Sequence, residues 1–191
     1  MNDSIERYLP QLFKQFNRFM ILMWRMGLGP VLNAMPPEFG RYIVLHHVGR
    51  KSGLKRQTPV NYAEVDDHIY VTAGFGAGSQ WYKNIMAAPH IEIWMSDGWF
   101  EADAEDVTDS VDRLSLMRAV LIGSGFASRM AGIDPHTISD ADLEAATTDY
   151  RLLRLRRGAR LTGKGSAGDL VWMWAVLAAA VALVILKPRD D

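Results

Sequence analysis

Residues 41–73 read RYIVLHHVGRKSGLKRQTPVNYAEVDDHIYVTA. Three runs rich in β-branched and aromatic residues, 41–48, 57–65 and 68–73, are separated by a basic glycine turn and by Asp66-Asp67. That spacing predicts three consecutive antiparallel strands. Ile69 and Val71 alternate with Tyr70 and Thr72, the period of a strand with one buried face. Pro59 lacks an N–H, which places the start of the second strand at an edge or a bulge. His46 and His47 are adjacent in a strand, so their rings point to opposite faces and make a poor chelating pair.

Downstream, Gly74-Phe75-Gly76-Ala77-Gly78 leads to Ser79, a plausible cap for a short helix through Ala87 that Pro89 ends. Ile91, Ile93 and Met95 alternate with polar or aromatic residues, and Asp97-Gly98 turns into a further strand at 99–107. Asp109 or Ser110 caps a helix to about Leu121, and Ser139 and Asp142 have capping-box spacing. Residues 150–157 form the last strand. About six mostly antiparallel strands without a βαβ rhythm imply a mainly β protein with flanking helices (α+β), a small closed or half-closed barrel.

The chain has 191 residues, 49% hydrophobic and 23% charged, enough for one domain with a real core. A net charge of -1 argues against a nucleic-acid partner held by bulk electrostatics. The absence of cysteine removes disulfides, thiolate metal sites, iron–sulfur clusters and thiol nucleophiles. Glu101, Asp103, Glu105, Asp106, Asp109 and Asp112 read as a solvated strand edge and helix cap, and no metal site is expected.

Both ends are hydrophobic. Residues 5–28 carry apolar side chains near the 3.6 period, with Pro10 inside and Gly27, Gly29 and Pro30 at the end. Such an amphipathic helix packs on the domain or lies in a membrane surface. Residues 170–186, LVWMWAVLAAAVALVIL, contain no charge and no helix breaker. As a helix this run would be about 26 Å long, near the lower limit for crossing a bilayer. Arg151, Arg154, Arg156, Arg157, Arg160 and Lys164 precede it, which would place the main domain on the cytoplasmic side. The expected organisation is therefore an N-terminal helix at 1–30, a barrel at 41–157, a linker at 158–168 and a C-terminal transmembrane helix at 169–187. The lipid membrane is an expected partner, and a homodimer is also entertained.

Charge concentrates in the turn at 49–56. Arg50, Lys51, Lys55 and Arg56 bracket Ser52-Gly53, with Thr58 just beyond. Guanidinium groups contact phosphate oxygens in pairs, and Gly49 and Gly53 allow backbone N–H groups to form a nest. The order is neither a Walker loop nor a Rossmann fingerprint. Alone, the turn also reads as a solvated hairpin, and Trp81 and Tyr82 also read as core residues. Together with the glycine loop at 74–78 and the helix start behind it, they fit a cofactor with a phosphate tail and a planar ring.

GRKSGLKRQTPV (49–60), YVTAGFGAGSQWYKNIMAAPHIEIW (70–94) and FEADAEDV (100–107) resemble the deazaflavin-dependent nitroreductase family, which is similar to the flavin-binding split β-barrels. The resemblance covers roughly 42–157. It implies a split β-barrel that binds reduced 8-hydroxy-5-deazaflavin (F420) and passes hydride to a hydrophobic acceptor, with a quinone such as menaquinone as one candidate. By that resemblance Arg50, Lys51, Ser52 and Arg56 hold the phosphate, Pro59 and Val60 line the ring, and Ala73, Gly74, Trp81, Tyr82 and Asn84 form the opposite wall. FMN in the same barrel, and a membrane-tethered deazaflavin carrier without turnover, are the alternatives. Two features depart from the family: no lysine stands at 78–80, and no tyrosine lies between Tyr82 and Tyr150. Nitroimidazole reduction is therefore not expected as the defining activity. No catalytic residue is assigned; Tyr62, Tyr70, Ser128 and His136 are proton donors by type, and Phe126 and Met130 are candidates for choosing the substrate.

Overall fold

The computed structural model describes residues 3–163 and 167–185. The first two residues of the expected N-terminal helix, 164–166 of the expected linker, and 186 and 187 of the expected C-terminal helix lie outside the described residues.

Six strands close into one antiparallel barrel: β1 (Tyr42–Val48), β2 (Lys55–Val65), β3 (His68–Ala73), β4 (His90–Met95), β5 (Gly98–Asp106) and β6 (Arg151–Leu161), in the spatial order β1-β2-β3-β6-β5-β4. Asp66 and Asp67 take positive φ values of 48° and 61°, the two-residue hairpin conformation whose twist matches that of the flanking strands. Alternate side chains turn inward. Ile43, Leu45, Ile69, Val71, Ile91, Ile93, Leu153 and Leu155 meet inside the barrel, where Ile85 from α3 (Gln80–Ala87) joins them. Burying each such aliphatic side chain stabilises the fold by about 1.5–3 kcal/mol.

The outer faces are covered too. Val44, pointing away from the barrel interior, packs with Trp94 and with Trp24 of α1 (Asp3–Arg25). Gly29 opens α2 (Gly29–Ala34), and a Cβ there would meet the Trp24 ring at 2.4 Å, so this close approach requires glycine. Trp24 and Met20 are buried, so the C-terminal half of α1 packs on the barrel. On another side, Met117, Val120 and Leu121 of α4 (Arg113–Gly123) and Leu143 of α6 (Asp140–Ala146) cover Tyr70 and Leu152. The capping-box spacing is realised at α6, where Ser139 Oγ accepts from the Asp142 N–H at 3.2 Å. Between α4 and α6 lies the short α5 (Phe126–Met130).

The last strand runs to Leu161, four residues beyond the expected end at 157. Its Arg-rich half faces acids across the sheet: Arg154 pairs with Glu105 at 2.6 Å and Arg157 with Asp97 at 2.9 Å.

The expected transmembrane helix is corrected. α7 covers Trp172–Ile185, 14 residues and roughly 21 Å, against about 30 Å of bilayer hydrocarbon. Among the described residues no helix is long and apolar enough to cross a membrane. The reason lies in the residues just before it. Gly168 N–H donates to Trp24 O and Leu170 N–H to Arg25 O, both at 2.9 Å. Asp169 takes two hydrogen bonds from Arg25 Nε and one from Nη2, and Trp174 Nε1 donates to Met26 O at 3.0 Å. The start of the apolar run is thus folded as turns against the end of α1, and the helix left over is too short. The lipid partner and the tethered location with a cytoplasmic main domain fall with the span; the expected hydrophobic acceptor and the homodimer find no support among the described residues.

Candidate active site

β2 and β3 part company at their open end. Tyr62–Val65 pairs with His68–Val71, while residues 55–61 pair with β1 alone. Pro59, without an N–H, sits in this half of the strand. The splayed edge leaves backbone donors and acceptors facing a cleft of about 900 Å³. The loop after β3 and the start of α3 form the opposite bank, and α4, α5 and Tyr150 close the far end.

The basic turn lies at one end of the cleft. Gly49 O accepts from the N–H groups of Ser52 and Gly53 at 3.0 and 2.8 Å, and Gly49 N–H donates to Leu54 O at 2.9 Å. A Cβ at Gly49 would stand 2.7 Å from Ser52 Oγ and 2.9 Å from Arg56 Nε, so a larger residue there would displace these two cleft-lining side chains. The Ser52 and Gly53 amides are therefore turned inward, and the expected nest is replaced by side-chain charge. Arg50, Lys51 and Arg56 all line the cleft, and among the described residues none of them has a carboxylate within ion-pair distance. Arg56 Nη2 donates to Ser52 Oγ at 3.5 Å. Lys55, one residue away on the opposite face of β2, pairs with Glu92 at 3.8 Å instead.

Behind the cations runs a polar chain that is exposed at Arg50 and Gln80 and buried at Asn84 and His47. Arg50 N–H and Nη1 donate to Asn84 Oδ1 at 3.2 and 2.9 Å, and Nη2 donates to Gln80 Oε1 at 3.1 Å. Asn84 Nδ2 lies 3.3 Å from His47 Nδ1, and His47 Nε2 lies 3.0 Å from Thr58 Oγ1. Burial, with Arg56 nearby, pulls the His47 pKa down to about 4, so the ring is neutral at physiological pH. His46, on the other face against Trp94, is likewise lowered to about 4 by burial, then by Lys55 and His47.

The rest of the lining is flat or small: Pro59, Val60, Gly74, Trp81 and Tyr150. Of the residues singled out in the sequence, the cleft thus gathers Arg50, Lys51, Ser52, Arg56, Thr58, Pro59, Val60, Gly74, Trp81 and Asn84. Gly53 (φ 65°) serves the turn itself, and Ala73 is buried at the end of β3. Tyr82 is directed elsewhere, its hydroxyl donating to the Asp106 carboxylate. Burial and that hydrogen bond push the Tyr82 pKa up to about 12. Burial of Asp106 acts against its charge, but hydrogen bonds from Thr108 and Tyr82 prevail and hold its carboxyl below the usual range.

Among the proton donors named by type, Ser128 lines the cleft, donating to Gly125 O at 2.8 Å. Tyr70 is buried under α4 and α6, Tyr62 packs against the barrel core, and His136 lies in a loop away from the cleft. Phe126 and Met130 are exposed outside it; Ala127 and Ala131, one helical turn apart, face it instead. Tyr150 was missed in the sequence. It faces the cleft beside Gly74, burial raises its pKa, and its hydroxyl has no hydrogen-bond partner among the described residues. Ser79, at the N-cap of α3, also lines the cleft, with its Oγ buried and without a partner among the described residues.

These features fit a phosphate-bearing cofactor with a planar ring. Among the described residues, cations without carboxylates stand at one end, an open strand edge can meet the amide-like rim of a flavin-type ring, and an orphaned hydroxyl sits at the start of α3. Among the described residues no three His, Asp or Glu side chains are arranged to hold a metal ion.

Solved structures similar to this chain include a conserved hypothetical protein from Mycobacterium tuberculosis, at 17% identity and a TM-score of 0.43 over 68% of this chain and 76% of that one. An F420-H2 dependent reductase matches at 17% identity and a TM-score of 0.45, over 60% and 93%. The haem storage protein HutZ from Vibrio cholerae matches at 16% and 0.42, over 68% and 89%. Likeness at this level assigns nothing by itself. The sequence profile of the F420H(2)-dependent quinone reductases matches residues 23–138, more than half of the chain, and spans the basic turn, the glycine loop and α3. The link to a deazaflavin cofactor holds at the level of the family, and so does the oxidoreductase character. The chain belongs to the F420H(2)-dependent quinone reductase family.

Proposed function

We propose that this protein is an F420H2-dependent oxidoreductase that reduces a second substrate, with a quinone as the acceptor its family points to. The observation that carries the reading is a single cleft that joins three cations, without carboxylate partners among the described residues, to an open strand edge and an aromatic wall. Reduced F420, when bound, supplies a hydride.

The chain's own residues supply the rest. Arg56, Lys51 and Ser52 hold the phosphate, with Arg50 braced against α3 beside them. Pro59, Val60, Gly74 and Trp81 confine the ring, and the edge of β2 offers it backbone hydrogen bonds. The far end of the cleft, near Ala127, Ser128 and Tyr150, receives the acceptor. A quinone becomes a hydroquinone by gaining a hydride and a proton. Tyr150 Oη, a phenol that carries its proton at neutral pH, faces that space as the proton donor.

Anaerobic mixing of the protein with F420H2 and menadione tests the reading. The expected result is oxidation of the deazaflavin, seen as return of its visible absorbance, with FMN unable to replace it. Tight F420 binding without oxidation by any acceptor would make the protein a carrier and overturn the proposal. Activity with FMN alone would overturn it as well.

A further inference from the structure

The polar chain behind the cations has one arrangement in which no donor faces a donor at Asn84, and the Val48 carbonyl beside the His47 ring is a further acceptor. Arg50 has only donors to offer, so the Asn84 atom facing it is the carboxamide oxygen. The Asn84 amide nitrogen then faces His47 Nδ1 at 3.3 Å, and that ring nitrogen must accept. A neutral imidazole with an unprotonated Nδ1 carries its proton on Nε2, 3.0 Å from Thr58 Oγ1. Thr58 Oγ1 therefore accepts from His47. Its own proton has no acceptor among the described residues, and Thr58 lines the cleft between Arg56 and Pro59. The other tautomer would set two donors against each other at Asn84, in a place where His47 and Asn84 are both about 5% exposed.

We infer that His47 is a positioning residue: through its Nε2–H it fixes the Thr58 hydroxyl as a hydrogen-bond donor aimed at an acceptor atom of the bound cofactor, and through Nδ1 it holds Asn84 in the orientation that braces Arg50. The inference rests on the proposed F420 reading for the identity of the ligand. It adds a requirement for the ligand atom opposite Thr58, which must be an acceptor such as a phosphate or ring-carbonyl oxygen.

Two measurements test it. The first needs no cofactor. Two-bond nitrogen–proton correlation spectra of the imidazoles report the tautomer, and the His47 signals are expected to show Nε2 protonated and Nδ1 bare at pH 7. An Nδ1-protonated ring would overturn the inference while leaving the F420 reading intact. The second is a double-mutant cycle on the affinity for oxidised F420. His47→Phe and Thr58→Val are each expected to weaken binding about tenfold, the size of one hydrogen bond to a charged or strongly polar acceptor. The double variant is expected to lose little more than either alone, and Thr58→Ser is expected to retain wild-type affinity. Losses that multiply in the double variant, or a His47→Phe protein that binds like wild type, would overturn it. A His47→Phe protein that fails to fold leaves Thr58→Val and the tautomer to decide. Failure of the wild-type protein to bind F420 would sink the F420 reading itself, and the assigned role of Thr58 with it.

Discussion

Arg50 and Asn84 stand 34 positions apart and are joined twice, the backbone N–H and Nη1 of Arg50 both donating to Asn84 Oδ1. This contact locks the basic turn to α3 and so fixes one bank of the cleft against the other. Asn84→Ala would leave His47 Nδ1 without its partner in a buried site and release two donors of the exposed Arg50. The expected cost is about 2 kcal/mol of stability, read as a lower urea midpoint, together with weaker cofactor binding. An unchanged midpoint would mean that the turn holds its shape without α3.

Arg56 differs from Arg50 in contacting only Ser52 Oγ, at 3.5 Å, among the described residues. Its charge is free to meet a phosphate. Arg56→Ala is expected to weaken F420 binding by about tenfold or more, with little change in the unfolding midpoint. The difference between wild type and variant should shrink as salt is raised, because part of the lost attraction is screened. Equal affinities at low salt would remove Arg56 from the phosphate site.

How much of this was legible in the sequence depends on whether the cause was local. The three strands at 42–73, the Asp66-Asp67 turn and the edge character of Pro59 follow from side-chain period and backbone chemistry, which a short window contains. So does the basic turn. The His47–Asn84 contact spans β1 and α3 and exists only once the barrel brings them together. Tyr150 looked like the start of a strand, and nothing near it in the chain marks a cleft. At the C-terminus, hydropathy registered the apolar run but not the Arg25–Asp169 pair that folds its first residues back on α1. Residues 158–161 read as linker because what makes them strand is their pairing with Trp99 and Phe100 on β5, far upstream in the chain.

Tyr82 separates the two roles that its position beside Trp81 left open. Its hydroxyl ties α3 to Asp106, and it is not among the residues lining the cleft. Tyr82→Phe is expected to lower stability by about 1 kcal/mol while F420 affinity stays within about twofold of wild type. A large loss of affinity with unchanged stability would instead place the tyrosine at the cofactor.

His46 and His47 make stability depend on pH in a stated direction. Both pKa values are lowered to about 4 in the folded protein, chiefly by burial, so below about pH 6.5 the unfolded chain binds protons that the folded chain does not. Their contribution is fully present above the unfolded pKa and is lost as pH falls toward 4, at about 1.4 kcal/mol per pH unit for each ring. Exposed His90, raised by its hydrogen bond to Asp103, acts weakly in the opposite sense. Urea midpoints measured from pH 7 to pH 5 should fall, and His46→Gln should reduce the slope by roughly half. A flat profile would mean that neither ring is held neutral.

The central claim is that this cleft is built for F420, and equilibrium titration of the wild-type protein with oxidised F420, followed by the cofactor's fluorescence, tests it most directly. Saturable binding at one site per chain is expected, weakened by salt and not displaced by an equal concentration of FMN. No saturable binding of F420, or displacement by FMN at equal concentration, would contradict it.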